Sequence, residues 1–181
     1  MKYLKPLLIA TFFLVAFFVI SCERDDICPE STQTTPKLVI QAYDAAVQEN
    51  RKNIFGLRIQ GIDNDNVLEG YNIITEDDLV LPLRTDATTT QYSLRKDTSI
   101  NNNGTPEDAS DDFFNGNEDI ITITYTTEQV YVSRACGYKT IFNNVSLTIE
   151  PDSDNWILSR QTTSDNQTLE NEQAALFNIY H

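Results

Sequence analysis

Along most of the chain after residue 36, apolar side chains recur at every second position in short segments. The clearest segment is 119–127, where Ile121, Ile123 and Tyr125 alternate with threonines, as in a β-strand with one buried face. Eleven short β-type segments occur, mostly about 8 to 12 residues apart, at 36–43, 53–60, 67–75, 79–83, 91–95, 119–127, 130–135, 138–142, 145–150, 156–160 and 176–180. This spacing predicts an all-β fold, an antiparallel β-sandwich of immunoglobulin-like general architecture.

The same alternation predicts which side chains face the core and where the chain turns. The side chains predicted on this basis to share a buried face are Phe55, Leu57 and Ile59, and then Leu79, Leu81 and Leu83. Two polar stretches, 127–129 and 143–144, are predicted as turns that each join two neighbouring strands.

Two segments do not follow the strand pattern. Residues 97–118 are rich in acidic side chains and asparagine and show no alternation, so they are predicted to form one long acidic surface loop. Its Phe113 and Phe114 could anchor a partner, although packing of the pair onto the core is the favoured expectation. Residues 168–178 are rich in Glu, Gln and Ala, which allows a short helix before the last strand.

The first residues have the pattern of an export signal. Lys2 and Lys5 precede a run of 14 residues without charge, 7–20, which is shorter than the ~20 apolar residues of a membrane-spanning helix. The run ends in Val19-Ile20-Ser21-Cys22, which resembles a bacterial lipobox. We therefore expect 1–21 to be a lipoprotein signal peptide, Cys22 to be the lipidated first residue of the mature chain, 22–35 to be a short tether and 36–181 to be a single β-sandwich domain.

The three cysteines are then accounted for. With Cys22 acylated, Cys28 and Cys136 remain, and an exported compartment allows them to form a disulfide. A metal site needs more ligands than two distant cysteines, and a catalytic cysteine needs a base, whereas the only histidine is His181. The sequence therefore predicts a Cys28–Cys136 disulfide and neither a metal site nor a cofactor.

The charge balance narrows the range of partners. Without Lys2 and Lys5 the chain has 11 basic and 27 acidic residues. Nucleic acid is a poor candidate because phosphate binding needs clustered Lys and Arg. An anionic membrane surface would repel the acidic domain, which leaves the lipid at Cys22 as the expected membrane contact.

No motif indicates catalysis or calcium binding. A pair of carboxylates could hydrolyse glycosides, but no local signature singles out such a pair. Asp63-Asn64-Asp65-Asn66 and the segment 108–119 offer oxygen ligands, yet neither matches the calcium-loop pattern, and an Asx-rich turn is the expectation for the first. A non-catalytic binding or structural module with a protein or glycan partner is therefore favoured. A calcium-binding module and a carboxylate-based glycan-acting enzyme remain as alternatives.

Several segments also resemble a known family. Asp25-Asp26-Ile27-Cys28, the stretch 132–142 around Cys136, Thr34-Thr35-Pro36, 81–86 and 154–157 resemble an uncharacterised lipoprotein family of Bacteroidota, a domain of unknown function, over the whole mature chain. The resemblance implies a cell-envelope lipoprotein with paired cysteines and supplies no activity. Glu23-Arg24-Asp25-Asp26 also resembles the surface-export signal of this phylum, but Asp25 and Asp26 could instead belong to the folded motif. The expectation is an outer-membrane lipoprotein that faces the periplasm.

Overall fold

The structure is a computed structural model that describes residues 27–32 and 34–181. These residues form nine strands and one short 3₁₀ helix, Ala109–Asp111. The strands are β1 (Leu38–Tyr43), β2 (Ile54–Gly61), β3 (Val67–Glu76), β4 (Asp78–Leu81), β5 (Thr89–Asn101), β6 (Phe113–Ser133), β7 (Gly137–Ile149), β8 (Ser159–Thr162) and β9 (Phe177–Tyr180). Among the described residues, no helix has the length and apolar character needed to cross a membrane.

The strands lie in two sheets, and the predicted all-β sandwich is confirmed. The four-stranded sheet has the order β4-β1-β9-β8 and the five-stranded sheet the order β3-β2-β5-β6-β7. In the first sheet β1 pairs with β9 in parallel, whereas β4 and β8 pair with their neighbours antiparallel. The immunoglobulin-like detail of the architecture stays a prediction.

The core consists of the side chains at alternating strand positions, as the period of two requires. Burial of each such Leu or Ile contributes about 1.5–3 kcal/mol. The fully buried members include Leu38 and Ile40 of β1, Leu57 and Ile59 of β2, Leu79 and Leu81 of β4, Leu94 of β5, Ile123 of β6, Phe142 and Leu147 of β7, and Phe177 of β9.

The described chain divides into two compact units. One, here called the disulfide unit, contains 27–32 together with Tyr131–Tyr138, and the other contains 34–130 and Lys139–His181. All residues of the core cluster belong to the second unit. The domain predicted over 36–181 therefore contributes residues to both units.

Both turns predicted from polar stretches are wrong. Residues 127–129 lie inside β6, and residues 143–144 lie inside β7. Asn143 Nδ2 donates a hydrogen bond to Glu128 Oε2 at 2.9 Å, and Gln129 Nε2 donates to Thr140 Oγ1 at 2.8 Å. These polar side chains therefore pair between the two neighbouring strands, so they stabilise the ladder that they were expected to interrupt.

The two irregular segments also differ from expectation. The acidic loop is shorter than predicted. The paired strands β5 and β6 extend into it from its two ends and leave only 102–112 as their connection. Residues 168–176 contain no helix. Instead, Leu169 exchanges two backbone hydrogen bonds with Phe142, at 2.8 and 3.1 Å, and this pairing holds the segment extended there.

One glycine changes which side chains of β2 face the core. Phe55 was expected in the core, but it is 59% exposed and Ile54 is buried instead. Gly56 lies between Ile54 and Leu57 with a φ of +57°, and the β2–β3 register shifts over the same residues. A Cβ atom at Gly56 would lie 2.9 Å from the backbone nitrogen of Thr98. This left-handed glycine reverses the alternation.

Gly116 of β6 is required because the backbones of β6 and β5 approach each other closely there, in the same part of β5. The β5–β6 register shifts between Lys96 and Ser99, and Asp97 has a φ of +52°. Gly116 has a φ of +123°, and a Cβ atom there would lie 2.6 Å from the Lys96 carbonyl oxygen. A side chain at this position would therefore separate two paired strands.

We expect Gly116→Ala to lower the free energy of unfolding by about 3 kcal/mol, because backbone strain and overpacking act together. Gly70→Ala is the matched control. Gly70 also has a positive φ, +82°, but a Cβ atom there meets nothing within 4 Å, so we expect a loss of only about 1 kcal/mol. Urea denaturation of both variants measures the difference, and equal losses would contradict the role given to the close approach.

Candidate functional site

The disulfide that the cysteine count predicts is present in the structure. Cys28 and Cys136 are bonded, and their Cα atoms lie 4.8 Å apart. Cys136 ends the turn between β6 and β7, where its backbone N–H donates to Ser133 Oγ at 3.0 Å. Cys22, the predicted lipidation site, lies outside the described residues.

Several of the side chains considered for calcium binding organise turns. Asn64 Oδ1 accepts a hydrogen bond from the Asn66 N–H at 3.0 Å, which is the predicted Asx turn. Asp108 Oδ1 accepts from the Ser110 hydroxyl and backbone N–H, and these bonds lower the pKa of Asp108. Asp111 accepts from the Thr105 hydroxyl at 2.8 Å, which lowers its pKa too. In the part of the chain that the structure describes, no three His, Cys, Asp or Glu residues are grouped to hold a metal ion.

The aromatic pair at the start of β6 is not in the core. Phe113 is 47% exposed and Phe114 is 37% exposed, so the expectation that the pair packs onto the core is wrong. The Arg58 guanidinium carbon lies 4.1 Å from the centroid of the Phe114 ring. This cation–π contact covers one ring and provides Phe114 with a partner inside the molecule.

A buried carboxylate connects the five-stranded sheet to the segment before β8. Asp119 is fully buried, and its two oxygens accept hydrogen bonds from the backbone N–H groups of Trp156, at 3.2 Å, and Ile157, at 2.8 Å. Burial raises the pKa of Asp119, and the two backbone hydrogen bonds oppose that rise. The Trp156 indole donates to the Leu94 carbonyl at 3.2 Å. Asp119 therefore holds residues 156–157 against β6, and Trp156 holds the same segment against β5.

His181 is also an interior residue, only 6% exposed. Its ring stands edge-on to Trp156, with centroids 5.5 Å apart. Its Nδ1 lies 3.3 Å from Lys96 Nζ, and its Nε2 lies 3.3 Å from the Lys52 carbonyl oxygen. Burial lowers the pKa of His181, and the charges of the two lysines act in the same direction. The neutral imidazole can then accept from Lys96 and donate to Lys52, which accounts for both contacts.

The candidate binding site is a cleft on the outer face of the four-stranded sheet. It has a volume of about 630 Å³. Its floor is formed by Gln41 and Tyr43 of β1 and Asn178 of β9. Because β1 and β9 pair in parallel with Gln41 opposite Asn178, the two amides stand side by side. The wall consists of the segment 163–176, with Thr163, Ser164, Asn166, Thr168, Glu170 and Asn171 among its lining residues.

Backbone hydrogen bonds hold this wall in place. The Thr163 N–H donates to the Leu176 carbonyl at 3.1 Å, and the Leu176 N–H donates to the Val39 carbonyl of β1 at 2.9 Å. The middle of the wall is fixed by Leu169, which is 2% exposed and pairs with Phe142 of β7. The cleft is therefore largely pre-formed, as small-molecule sites usually are.

The cleft presents uncharged hydrogen-bonding groups. Among the described lining residues of the cleft, amide and hydroxyl side chains predominate, and Glu170 is the only acidic residue. The Tyr43 hydroxyl donates to Gln41 Oε1 at 3.3 Å. Asn178 Oδ1 is buried and has no hydrogen-bond partner among the described residues. This oxygen is an acceptor that a ligand donating hydrogen bonds could satisfy.

Sequence reasoning missed the cleft and found the disulfide. Gln41 and Asn178 are polar residues at outward positions of strands, which is ordinary, and only the parallel pairing of β1 with β9 brings them together. Asp119 could have been found, because it shares the period-two face of Ile121, Ile123 and Tyr125 and must point inward with them.

The two sheets, the internal disulfide and the polar cleft define a small all-β sandwich protein. Residues 56–181 match the model of DUF6452, described as a family of unknown function, and the chain belongs to this family. The matched range includes Cys136 and most of the cleft, whereas Cys22 and Cys28 precede it. The comparisons with curated proteins and with solved structures gave no match.

Proposed function

We propose that this protein is a lipid-anchored, non-catalytic binding module of the bacterial cell envelope whose cleft takes an uncharged, hydroxyl-rich ligand, a glycan. The observation that carries the proposal is the pair of amides, Gln41 and Asn178, side by side on the cleft floor. The sequence Val19-Ile20-Ser21-Cys22 supports the anchor, and the resemblance to lipoproteins of Bacteroidota supports the outer membrane, with the domain facing the periplasm.

The lining chemistry supports a glycan. Amides and hydroxyls can each donate and accept, so they match sugar hydroxyls, which do both. The Tyr43 side chain adds an aromatic ring with a polar end. With 27 acidic residues against 11 basic ones in the mature chain, the protein would repel a polyanion, which favours a neutral ligand.

The same lining argues for binding without hydrolysis. Glycoside hydrolysis uses two carboxyl groups at a fixed separation, and among the described lining residues only Glu170 carries one. The carboxylates considered for calcium, Asp108 and Asp111, accept hydrogen bonds inside their own loop. A calcium-dependent module would instead need those oxygens to be available.

The test is a titration of purified protein with neutral oligosaccharides from its own envelope, by calorimetry with and without a calcium chelator. We expect binding that Gln41→Ala and Asn166→Ala each weaken about tenfold, the loss of roughly one hydrogen bond. Gln129→Ala is the matched control, since it removes an exposed amide of β6 that lies outside the cleft.

The outcomes separate the alternatives. Equal affinity in all three variants would place the ligand outside the cleft and contradict the proposal. Binding that the chelator abolishes would favour the calcium-binding module. Release of shorter sugars during the titration would favour the enzyme.

A further inference from the structure

Large side chains on the disulfide unit are exposed to solvent. Ile27 is 78% exposed, Tyr131 57% and Tyr138 67%. The two tyrosine rings contact each other edge-on, with centroids 5.4 Å apart. Ile27 and Tyr131 line one groove of about 570 Å³, together with Arg134 in the β6–β7 turn. These residues therefore form one continuous surface of aromatic, aliphatic and basic groups.

The chain length keeps this surface near any lipid carried by Cys22. Five residues separate Cys22 from Cys28, and at 3.3 to 3.6 Å per residue they span at most about 20 Å. The disulfide then holds Cys28 against Cys136 in the turn beside Arg134. The segment that connects Cys22 to the hairpin end with Tyr131 and Tyr138 is thus shorter than the thickness of a bilayer.

The charge of the unit also differs from that of the rest of the chain. Its described residues carry one acidic side chain, Glu30, and one basic one, Arg134. Residues 34–130 and 139–181 carry 23 acidic and 9 basic side chains. An anionic lipid surface repels the second set far more than the first, to which the tether adds Glu23, Asp25 and Asp26 against Arg24. Arg134 has no ion pair with a described residue and can meet a lipid phosphate.

We propose that the disulfide unit is a membrane-contacting surface. Ile27, Tyr131 and Tyr138 enter the boundary between headgroups and acyl chains, where tyrosine places its ring in apolar surroundings and its hydroxyl in water. Arg134 lies at the level of the phosphates. The occupant of the surface is the bilayer that holds the anchor, and the inference rests on the lipid anchor of the proposed function.

The test uses the full lipidated chain with Tyr138→Trp in vesicles of phosphatidylethanolamine and phosphatidylglycerol, with and without brominated acyl chains. The parent protein measured in parallel gives the signal of Trp156, which is buried. We expect the added tryptophan to emit at shorter wavelength than in detergent-free buffer and to lose emission when the acyl chains are brominated. Quenching by aqueous acrylamide, together with no effect of bromine, would overturn the proposal.

Two further measurements, flotation with vesicles and transfer between vesicles, distinguish failure of the proposed surface from failure of the lipid anchor. Protein that does not float with the vesicles would overturn the anchor and this surface together, whereas floating protein without bromine quenching would overturn the surface alone. Transfer to acceptor vesicles should be faster for Tyr131→Ser/Tyr138→Ser than for the parent, and unchanged for Tyr131→Phe/Tyr138→Phe, which keeps both rings. Equal transfer of the two double variants would contradict the role of the rings.

Discussion

Cells that produce Cys22→Ser are expected to contain the protein either in the soluble envelope fraction or as uncleaved precursor. The sulfur of Cys22 is the proposed attachment point of the diacylglyceryl group, and serine cannot accept it by the same chemistry. Each buried methylene of an acyl chain contributes about 0.8 kcal/mol to membrane binding, and stable residence needs more than one chain. Removal of the attachment point therefore removes nearly all of the binding energy.

Fractionation and mass spectrometry of the parent and the variant measure this effect. Ser21→Ala is the matched control, because it keeps a small residue before the cysteine and should leave processing and membrane residence unchanged. If Cys22→Ser still fractionates as mature, membrane-bound protein, then the interpretation of Val19-Ile20-Ser21-Cys22 as a lipobox is wrong.

The strands could be predicted wherever one face is buried and no backbone irregularity intervenes. Ile121, Ile123 and Tyr125 are buried, as are Leu79 and Leu81, because the period of two follows directly from strand geometry. The pattern failed at Phe55, where Gly56 adopts a positive φ beside Thr98 of β5. A glycine in a strand suggests a bulge, but its effect on the register depends on a neighbour 42 positions away in the chain.

Turns and sites depended on contacts that are distant in sequence. Asn143 belongs to a turn-forming class of residue, yet here it pairs across strands with Glu128. The cleft needs Gln41 beside Asn178, and periodicity carries no information on which strands become neighbours. The pairing of Cys28 with Cys136 could be predicted because it follows from the number of cysteines and the expected compartment, and neither requires knowledge of the geometry.

Reduction of the Cys28–Cys136 disulfide is expected to lower the free energy of unfolding by a few kcal/mol, at most about 4.7 kcal/mol for a loop of roughly 100 residues in the chain-entropy model. The two cysteines are 108 positions apart, and the loop that they close contains β1 to β6. The bond therefore restricts the unfolded chain far more than the folded one.

Urea denaturation of oxidised protein, reduced protein and the double variant Cys28→Ser/Cys136→Ser measures this effect. The double variant serves as the control, because it should match the reduced protein without free thiols. The slope of the free energy with urea should also rise on reduction, since a longer free chain exposes more surface when it unfolds. Equal stability with equal slopes would mean that the bond only positions 27–32, and free thiols in protein taken from the envelope would contradict the pairing itself.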